Sequence, residues 1–233
     1  MNQLSVNYGN QKLDFSVVYS PRKTISISVY PDLHIEVKTP EIATDDQITK
    51  KVLKKGSWII KQIDYFEGFL PRTPVRKYIS GESHRYLGKQ YQLKVIYDEN
   101  ESVKMRPGFI VVKGWDTSSI RVRQLLTRWY YKHAKNKITE RYQDILPNFK
   151  KYNLEPKEIR FKRMASRWGS HSQKAITLNP ELIKAPVRCI DYVIIHELCH
   201  LKHDNHGAKF HQMLEIMMPD WKKWKQKLEE SMV

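Results

Sequence analysis

The sequence predicts an α+β fold in which a β-rich N-terminal half packs on a helical C-terminal half. Apolar and polar residues alternate with period two in several stretches before residue 114, as in half-buried strands. Beyond residue 114, apolar residues recur at helical spacing through long segments. We therefore expect two regions, residues 1–114 and 115–233. No low-complexity linker separates them, so we expect them to pack together, and the sequence shows no internal repeat.

The composition excludes several classes of protein. The 233 residues are 40% hydrophobic and 11% aromatic, which is enough for a packed core and excludes wholesale disorder. The 2 cysteines cannot form a disulfide framework, and no stretch of about 18 apolar residues is available to span a membrane. The first residues lack the features of a secretory signal, so we expect a cytoplasmic protein. The 41 Lys and Arg outnumber the 25 Asp and Glu, and a net charge of +16 would attract phosphate backbones.

Two groups of strands are expected in the N-terminal half. In the first group, residues 24–29 and 34–37 alternate on either side of a turn at Pro31-Asp32. In the second group, residues 91–95 and 109–112 do the same, with glycine and proline between them.

A helix is expected between these two groups. Thr44 or Asp45 can cap it, and apolar residues then recur at spacings of three, four or seven as far as Phe66. Gly56 weakens the middle of this helix.

The C-terminal half is expected to begin with a long helix over residues 117–146, capped by Asp116 or Thr117. A solvated face is the commoner explanation of its many basic residues, and a nucleic-acid surface is the alternative. These residues are Arg121, Arg123, Arg128, Lys132, Lys135, Lys137 and Arg141.

Two short strands, at residues 158–164 and 175–178, are expected to flank a segment that contains Trp168 and Gly169. This segment is either a substrate-binding edge or a core aromatic followed by a turn. Pro186 then opens a helix predicted to extend through residue 203.

The motif H-E-x-x-H occurs in this last helix, at His196, Glu197 and His200. Residues four apart lie on one helix face with Cβ atoms about 5 to 6 Å apart, which allows two imidazoles to bind one metal ion. Glu197 is better placed to act on a water at the metal than to bind the metal itself. Cys199 is expected to be a buried, reduced cysteine rather than a ligand.

A catalytic zinc ion usually has three protein ligands, so a third donor is needed. His206 is the first candidate, because Asp204 and Asn205 favour a turn that would bring it back toward the ion. Glu215, on a following helical segment, is the alternative. His203 and His211 are expected to support the site from outside or to lie on the surface.

The sequence resembles the YgjP-like metallopeptidases, relatives of the WLM and SprT-like groups. The resemblance is carried by SRWGS at 166–170, ITLN at 176–179, YVIIHELCHL at 192–201 and NHGAKF at 205–210, with weaker similarity in YISGES at 78–83 and YLGK at 86–89. It implies a zincin-like C-terminal half and a peptidase with one Zn²⁺. The ligands would match His196, His200 and His206, and the catalytic glutamate would match Glu197.

Glu197 would take a proton from the attacking water and pass it to the leaving amine. Arg167, Tyr192 and His211 are candidates for stabilising the oxyanion. One alternative function is an RNA hydrolase with a YbeY-like three-histidine site, although that family lacks the glutamate after the first histidine. Another is a nucleic-acid-binding protein whose basic helix recruits the peptidase to protein on DNA.

Overall fold

The computed structural model describes residues 2–30, 32–68, 76–152, 154, 156, 158–164, 167–172 and 175–232. The fold is α+β, as predicted. The chain divides into two compact units, residues 1–73 and 74–232. The boundary that we placed near residue 114 falls inside the second unit, because the second group of strands shares a hydrophobic core with the C-terminal helices.

The first unit contains a four-stranded sheet. Its strands are β1 (Asn2–Tyr8), β2 (Gln11–Tyr19), β3 (Ser26–Val29) and β4 (Ile35–Thr39), in the order β1-β2-β4-β3. The central pair is parallel and both outer pairs are antiparallel. The turn predicted between β3 and β4 includes Pro31, which lies outside the described residues. Alternate strand residues and the following helices form one small core, which consists of Val6, Leu13, Phe15, Val17, Ile35, Val37, Ile48, Val52 and Ile59.

The predicted single helix of this unit is two helices, α1 (Asp45–Lys54) and α2 (Gly56–Glu67). Thr44 caps α1, since its hydroxyl accepts from the Gln47 amide while the Gln47 side chain accepts from the Thr44 amide. The second helix begins at Gly56, where a Cβ would lie 2.2 Å from the ring of Tyr8. The glycine that we expected only to weaken the helix therefore admits an aromatic ring.

The second unit begins with another four-stranded sheet. Its strands are β5 (Ser83–Tyr86), β6 (Lys89–Tyr97), β7 (Ser102–Arg106) and β8 (Phe109–Gly114), in the order β5-β6-β8-β7. Its central pair is again parallel and its outer pairs antiparallel. The long helix α3 (Ser119–Ile145) follows.

The cap of α3 is Ser118, whose hydroxyl accepts from the Arg121 amide at 3.3 Å, and neither Asp116 nor Thr117 takes that position. Asp116 instead accepts from the Ser118 amide. Three of the basic residues of α3 form ion pairs: Arg121 with Glu101, Lys137 with Glu140, and Arg141 with Asp191 and Asp144. The positive face predicted for this helix is therefore partly neutralised within the fold.

The rest of the second unit holds a small sheet and three helices. The strands β9 (Glu158–Phe161), β10 (Gly169–His171) and β11 (Ala175–Leu178) have the order β10-β11-β9, and α4 (Val187–His200), α5 (Ala208–Met217) and α6 (Trp221–Met232) follow. The strand β10 was missed by the sequence analysis because it is only 3 residues long and contains a glycine. The helix α4 ends at His200 rather than His203.

One hydrophobic core joins the strands of the second sheet to the helices. It combines Leu93 and Ile110 of the sheet with Leu126 of α3 and with Ile194 and Leu198 of α4, each at most 1% exposed. The helix that carries the histidine motif is therefore packed into the larger of the two hydrophobic cores that the described residues form. No helix in the described part of the chain is long and apolar enough to cross a membrane.

Candidate metal centre

His196 and His200 lie four residues apart on α4 and project to the same side of it. The opposite side of the helix is anchored in the core, where Ile194, Leu198 and Cys199 are fully buried. Cys199 is a free, buried thiol, as predicted, and burial raises its pKa to about 12. A rigid, packed helix fixes the separation of the two imidazoles before any ligand binds.

His206 reaches the same place through a tight turn. The amides of Lys202 and His203 bond back to the carbonyl of Cys199 at 3.1 Å and end the helix. The next helix, α5, places the ring of Phe210 against all three imidazoles, with ring centroids 4.4–5.0 Å apart. Phe210, 1% exposed, is the apolar support of the site, and it matched the family resemblance without being predicted to have this role.

The three Nε2 atoms converge. The Nε2 atoms of His196 and His200 are 3.2 Å apart, those of His200 and His206 are 3.0 Å apart, and those of His206 and His196 are 3.1 Å apart. Two ligands of a tetrahedral ion at about 2.0 to 2.1 Å lie about 3.3 Å from each other. The triangle therefore has nearly the size that a single tetrahedral metal ion requires.

The proton positions fit metal binding as well. The Nδ1 atom of His200 lies 3.0 Å from the His203 carbonyl, which can only accept, so the proton is on Nδ1 and the lone pair is on Nε2. Burial lowers the pKa of His196 to about 3, with the neighbouring His200 and His206 acting in the same direction. Burial also lowers the pKa values of His200 and His206. Metal ligation requires this neutral form of the imidazole.

Glu197 is 5% exposed, and its Oε2 atom lies 3.5 Å from the ring of His171, which stacks on the ring of His200 beside this triangle. Burial raises the pKa of its carboxyl group to about 7, and the charge of Arg167 opposes the rise. The carboxylate lies against the backbone of β10 at Gly169, where a Cβ would come within 2.5 Å of Oε1. Gly169 is thus a requirement of the site rather than only of a turn.

A family model of the YgjP-like metallopeptidase domain matches residues 23–231. The chain belongs to the YgjP-like metallopeptidase family. The matched residues of this metallopeptidase include β3 and β4 of the first sheet and nearly all of the second compact unit, whereas β1 and β2 precede the match. No curated protein matches the chain.

Two solved structures are similar to parts of this metallopeptidase. One is the metallopeptidase zymogen abylysin of Pyrococcus abyssi, which is 21% identical, with 45% of this chain and 93% of that chain covered at a TM-score of 0.32. The other is the metallopeptidase zymogen jannalysin of Methanocaldococcus jannaschii, at 25% identity, 41% and 97% coverage and a TM-score of 0.36.

The other predicted site residues occupy different positions around the centre of this metallopeptidase. The Tyr192 hydroxyl lies 3.5 Å from Nδ1 of His196, behind that ring. His211 stacks on Trp221 with ring centroids 5.4 Å apart. Glu215 is exposed on α5 and lies outside the group of converging ligand atoms.

The segment 166–170, which carries part of the family resemblance, has one residue packed on the core and one exposed to solvent. Trp168 is half-buried and packs against the core, while Arg167 is exposed. Ser166 lies outside the described residues. His171, two residues after Gly169, stacks on His200 at a centroid distance of 4.4 Å. His171 is not among the predicted site residues; a prediction of β10 as a strand would have placed it on the same side as Gly169 by period-two alternation.

Proposed function

We propose that this metallopeptidase uses one zinc ion, bound by His196, His200 and His206, with Glu197 as the acid–base group. The observation that carries the proposal is a triangle of Nε2 atoms 3.0–3.2 Å apart beside a buried carboxylate. The family supplies the class of reaction, hydrolysis of a peptide bond.

Zinc is the ion that this donor set suits best. Three neutral imidazoles with a free fourth position are a common arrangement in catalytic zinc sites. When bound, the ion would act as a Lewis acid that polarises the scissile carbonyl and makes a water more acidic. The neutral state of the three histidines and the Nδ1 proton of His200 support this assignment.

Glu197 would move the proton in both halves of the reaction. A carboxyl group with a pKa near 7 can accept and release protons at neutral pH. As a carboxylate it would accept a proton from the attacking water, and as the acid it would deliver that proton to the nitrogen of the leaving amine. The two steps return Glu197 to its starting form.

The substrate is proposed to lie in extended form along β10. This strand is at the edge of its sheet and pairs only with β11 among the described strands. A free edge next to the carboxylate offers backbone hydrogen bonds to an extended peptide, a common mode of peptide recognition.

The proposal is tested by metal analysis together with a peptide-hydrolysis assay. We expect the purified protein to contain one zinc ion per chain and to lose hydrolysis on removal of the metal. We expect Glu197→Gln to keep the zinc and lose hydrolysis by about 10³-fold or more, because the amide cannot take the proton. Full hydrolysis by this variant would refute the role of Glu197, and a metal-free active protein would refute the zinc site.

A second candidate function, nucleic-acid binding, is favoured by the outward face of the second sheet. Cross-strand register places Val111 between Lys104 and Lys94, and Arg106 beside Phe109. These residues alternate with the buried Leu93 and Ile110 and therefore lie on the opposite side of the sheet. The strand residues of this face include no carboxylate, and of its cations Lys113 is paired with Asp98. We therefore propose this face, rather than α3, as the site for a single-stranded nucleic acid.

Titration of a single-stranded oligonucleotide at several salt concentrations tests this candidate. We expect log affinity to fall linearly with log salt, and Lys94→Glu with Lys104→Glu to reduce both affinity and slope. The matched control is Lys132→Glu with Lys135→Glu on α3. Equal losses in both pairs would reject a specific role for the sheet. The RNA-hydrolase alternative has less support than peptide hydrolysis, because Glu197 lies beside the centre.

A further inference from the structure

Gly169 and His171 lie on the same side of β10, since alternate residues of a strand face the same way. Helix α4 packs against this side. The absence of a side chain at Gly169 leaves room for the carboxylate of Glu197, and His171 directs an imidazole toward it. The distance from His171 Nδ1 to Glu197 Oε2 is 3.5 Å.

The ring of His171 is itself held in place. It lies parallel to the ring of His200, with an interplanar angle of 14° and a centroid distance of 4.4 Å. Its backbone pairs with Ile176 of β11, and its side chain is 27% exposed. The backbone pairing of β10 and the stacking on His200 together hold the ring of His171 with its Nδ1 atom toward the carboxylate of Glu197.

Glu197 needs such a partner. Within the part of the chain that the structure describes, no group donates a hydrogen bond to its buried carboxylate, and His171 has the nearest ring nitrogen. A buried carboxylate without a donor has no fixed orientation and carries a desolvation cost. Hydrogen bonds around active sites are often long in the free enzyme and shorten when substrate binds.

We propose that His171 is a positioning residue for Glu197. In the neutral tautomer with its proton on Nδ1, His171 donates to Oε2 and fixes the carboxylate beside the three-histidine centre. This inference rests on the proposed function of Glu197, and it adds a fourth imidazole that acts on the carboxylate rather than as a ligand.

Three substitutions at position 171 separate the possible roles of the ring. His171→Phe keeps a flat ring that can stack on His200 but removes the donor. His171→Asn loses the ring and keeps an N–H at about the position of Nδ1. His171→Gln places its N–H one bond further away. Ser170→Ala is the matched control, because Ser170 lies on the same strand and faces the other way.

We expect His171→Phe to lower kcat by about 10-fold or more with little change in KM, in the range found for partners of catalytic groups. We expect His171→Asn to recover kcat to within about 3-fold of the unsubstituted enzyme, and His171→Gln to resemble the Phe variant. Zinc content and Co²⁺ spectra should stay the same in all of them. Equal kcat for the Phe and Asn variants, or loss of metal from the Phe variant, would overturn the proposal.

A measurement on the metal-free protein makes this test independent of hydrolysis. Two-bond ¹H–¹⁵N correlation spectra report which ring nitrogen carries the proton, and we expect Nδ1 for His171, shifting on Glu197→Gln. A proton on Nε2 would reject the proposal even if the enzyme is active. An Nδ1 proton in a protein that cleaves no peptide would instead support the contact and reject the proposed function.

Discussion

The two four-stranded sheets of this chain have the same strand order and the same strand directions, yet only one of them supports the candidate site. The first sheet is followed by α1 and α2, with which it completes a small core of its own. The second is followed by α3, which packs on α4, the helix of the histidine motif. The two sheets share this strand order although the sequence shows no internal repeat. A strand requires alternating apolar and polar residues but not particular residue types, so two unlike sequences can form the same arrangement. What each sheet does therefore depends on the helix packed behind it.

The same comparison can be made between two glycines. Gly56 in the first unit and Gly169 in the second each have a neighbour where a Cβ would lie, within 2.2 Å and 2.5 Å respectively. The neighbour of Gly56 is the ring of Tyr8, whereas that of Gly169 is the carboxylate of Glu197. One close approach serves packing, and the other serves the site.

The largest effect is expected from removal of a proposed metal ligand in the second unit. We expect His206→Ala to lower metal affinity by at least about 100-fold and to abolish hydrolysis, since loss of a mere supporting partner already costs about 10 to 100-fold. We expect Glu215→Ala, exposed on α5, to keep both. Elemental analysis and hydrolysis rates measure the result. Loss of metal in Glu215→Ala alone would overturn the assignment of the third ligand.

Substitution of the two glycines by alanine should have different effects, a loss of catalytic rate at Gly169 and a loss of stability at Gly56. We expect Gly169→Ala to lower kcat by about 10 to 100-fold, because displacement of a reacting group by about 1 Å costs that much. We expect Gly56→Ala to lower the free energy of unfolding by about 1–3 kcal/mol through overpacking and to leave kcat unchanged. Urea unfolding and steady-state kinetics on both variants provide the comparison. If both variants lost the same amount of stability and of kcat, the assignment of Gly56 to packing and of Gly169 to the site would be wrong.

An ion pair in each unit should differ in its contribution to stability. Arg141 joins α3 to Asp191 of α4, whose side chain is 2% exposed, whereas Lys12 and Asp14 on β2 are at least 63% exposed. We expect Arg141→Met to destabilise by about 3 kcal/mol, because among the described residues it leaves the buried carboxylate of Asp191 with only Arg188, at 3.8 Å, as a basic partner. Lys12→Met should cost at most about 1 kcal/mol. Denaturant titration measures both, and equal costs would contradict this account.

The smallest effect concerns two carboxylates whose pKa values are shifted in opposite directions. Burial raises the pKa of Glu229 on α6 to about 7, so the stability that Glu229 contributes is present below pH 4.5 and is lost as the pH rises to about 7. Burial also acts on Glu36 of β4, but hydrogen bonds from Tyr30 and Lys38 outweigh it and lower the pKa of Glu36. The stability that Glu36 contributes is present above pH 4.5 and is lost as the pH falls through its lowered pKa.

Glu229→Gln should remove the part of the decline between pH 4.5 and 7 that Glu229 contributes and leave the part from Glu197, whose pKa burial also raises to about 7. Glu36→Gln should likewise remove only the contribution of Glu36 to the loss of stability in acid. Urea unfolding of each variant from pH 3 to 8 measures the two slopes. A Glu229→Gln variant that keeps the slope of the unsubstituted chain would show that another group causes it.

The sequence predicted the two strand groups, the helical C-terminal half and a cap of α1 at Thr44 or Asp45, of which Thr44 is the cap. Local periodicity and capping chemistry determine these features. The convergence of His196 and His200 follows from one helical turn, and the turn chemistry at Asp204 and Asn205 explains why His206 could be chosen. The predicted cap of α3 and the predicted end of α4 were each wrong by one to three residues, and the break between α1 and α2 at Lys55 was not predicted. Each of these features depends on contacts rather than on residue spacing.

The sequence by itself was enough to recognise the family, to predict the α+β class and to select three histidines and a glutamate as site candidates, because these depend on residue types at short, fixed spacings. Only the tertiary structure decided which sheet belongs with the site, why Gly169 must be a glycine, and that His171 approaches Glu197. Those contacts join β10 to α4 across 26 residues of chain, from 171 to 197, and no periodicity reaches across a packing interface. Contacts between side chains within one helical turn can be predicted from the sequence, whereas contacts across a packing interface require the tertiary structure.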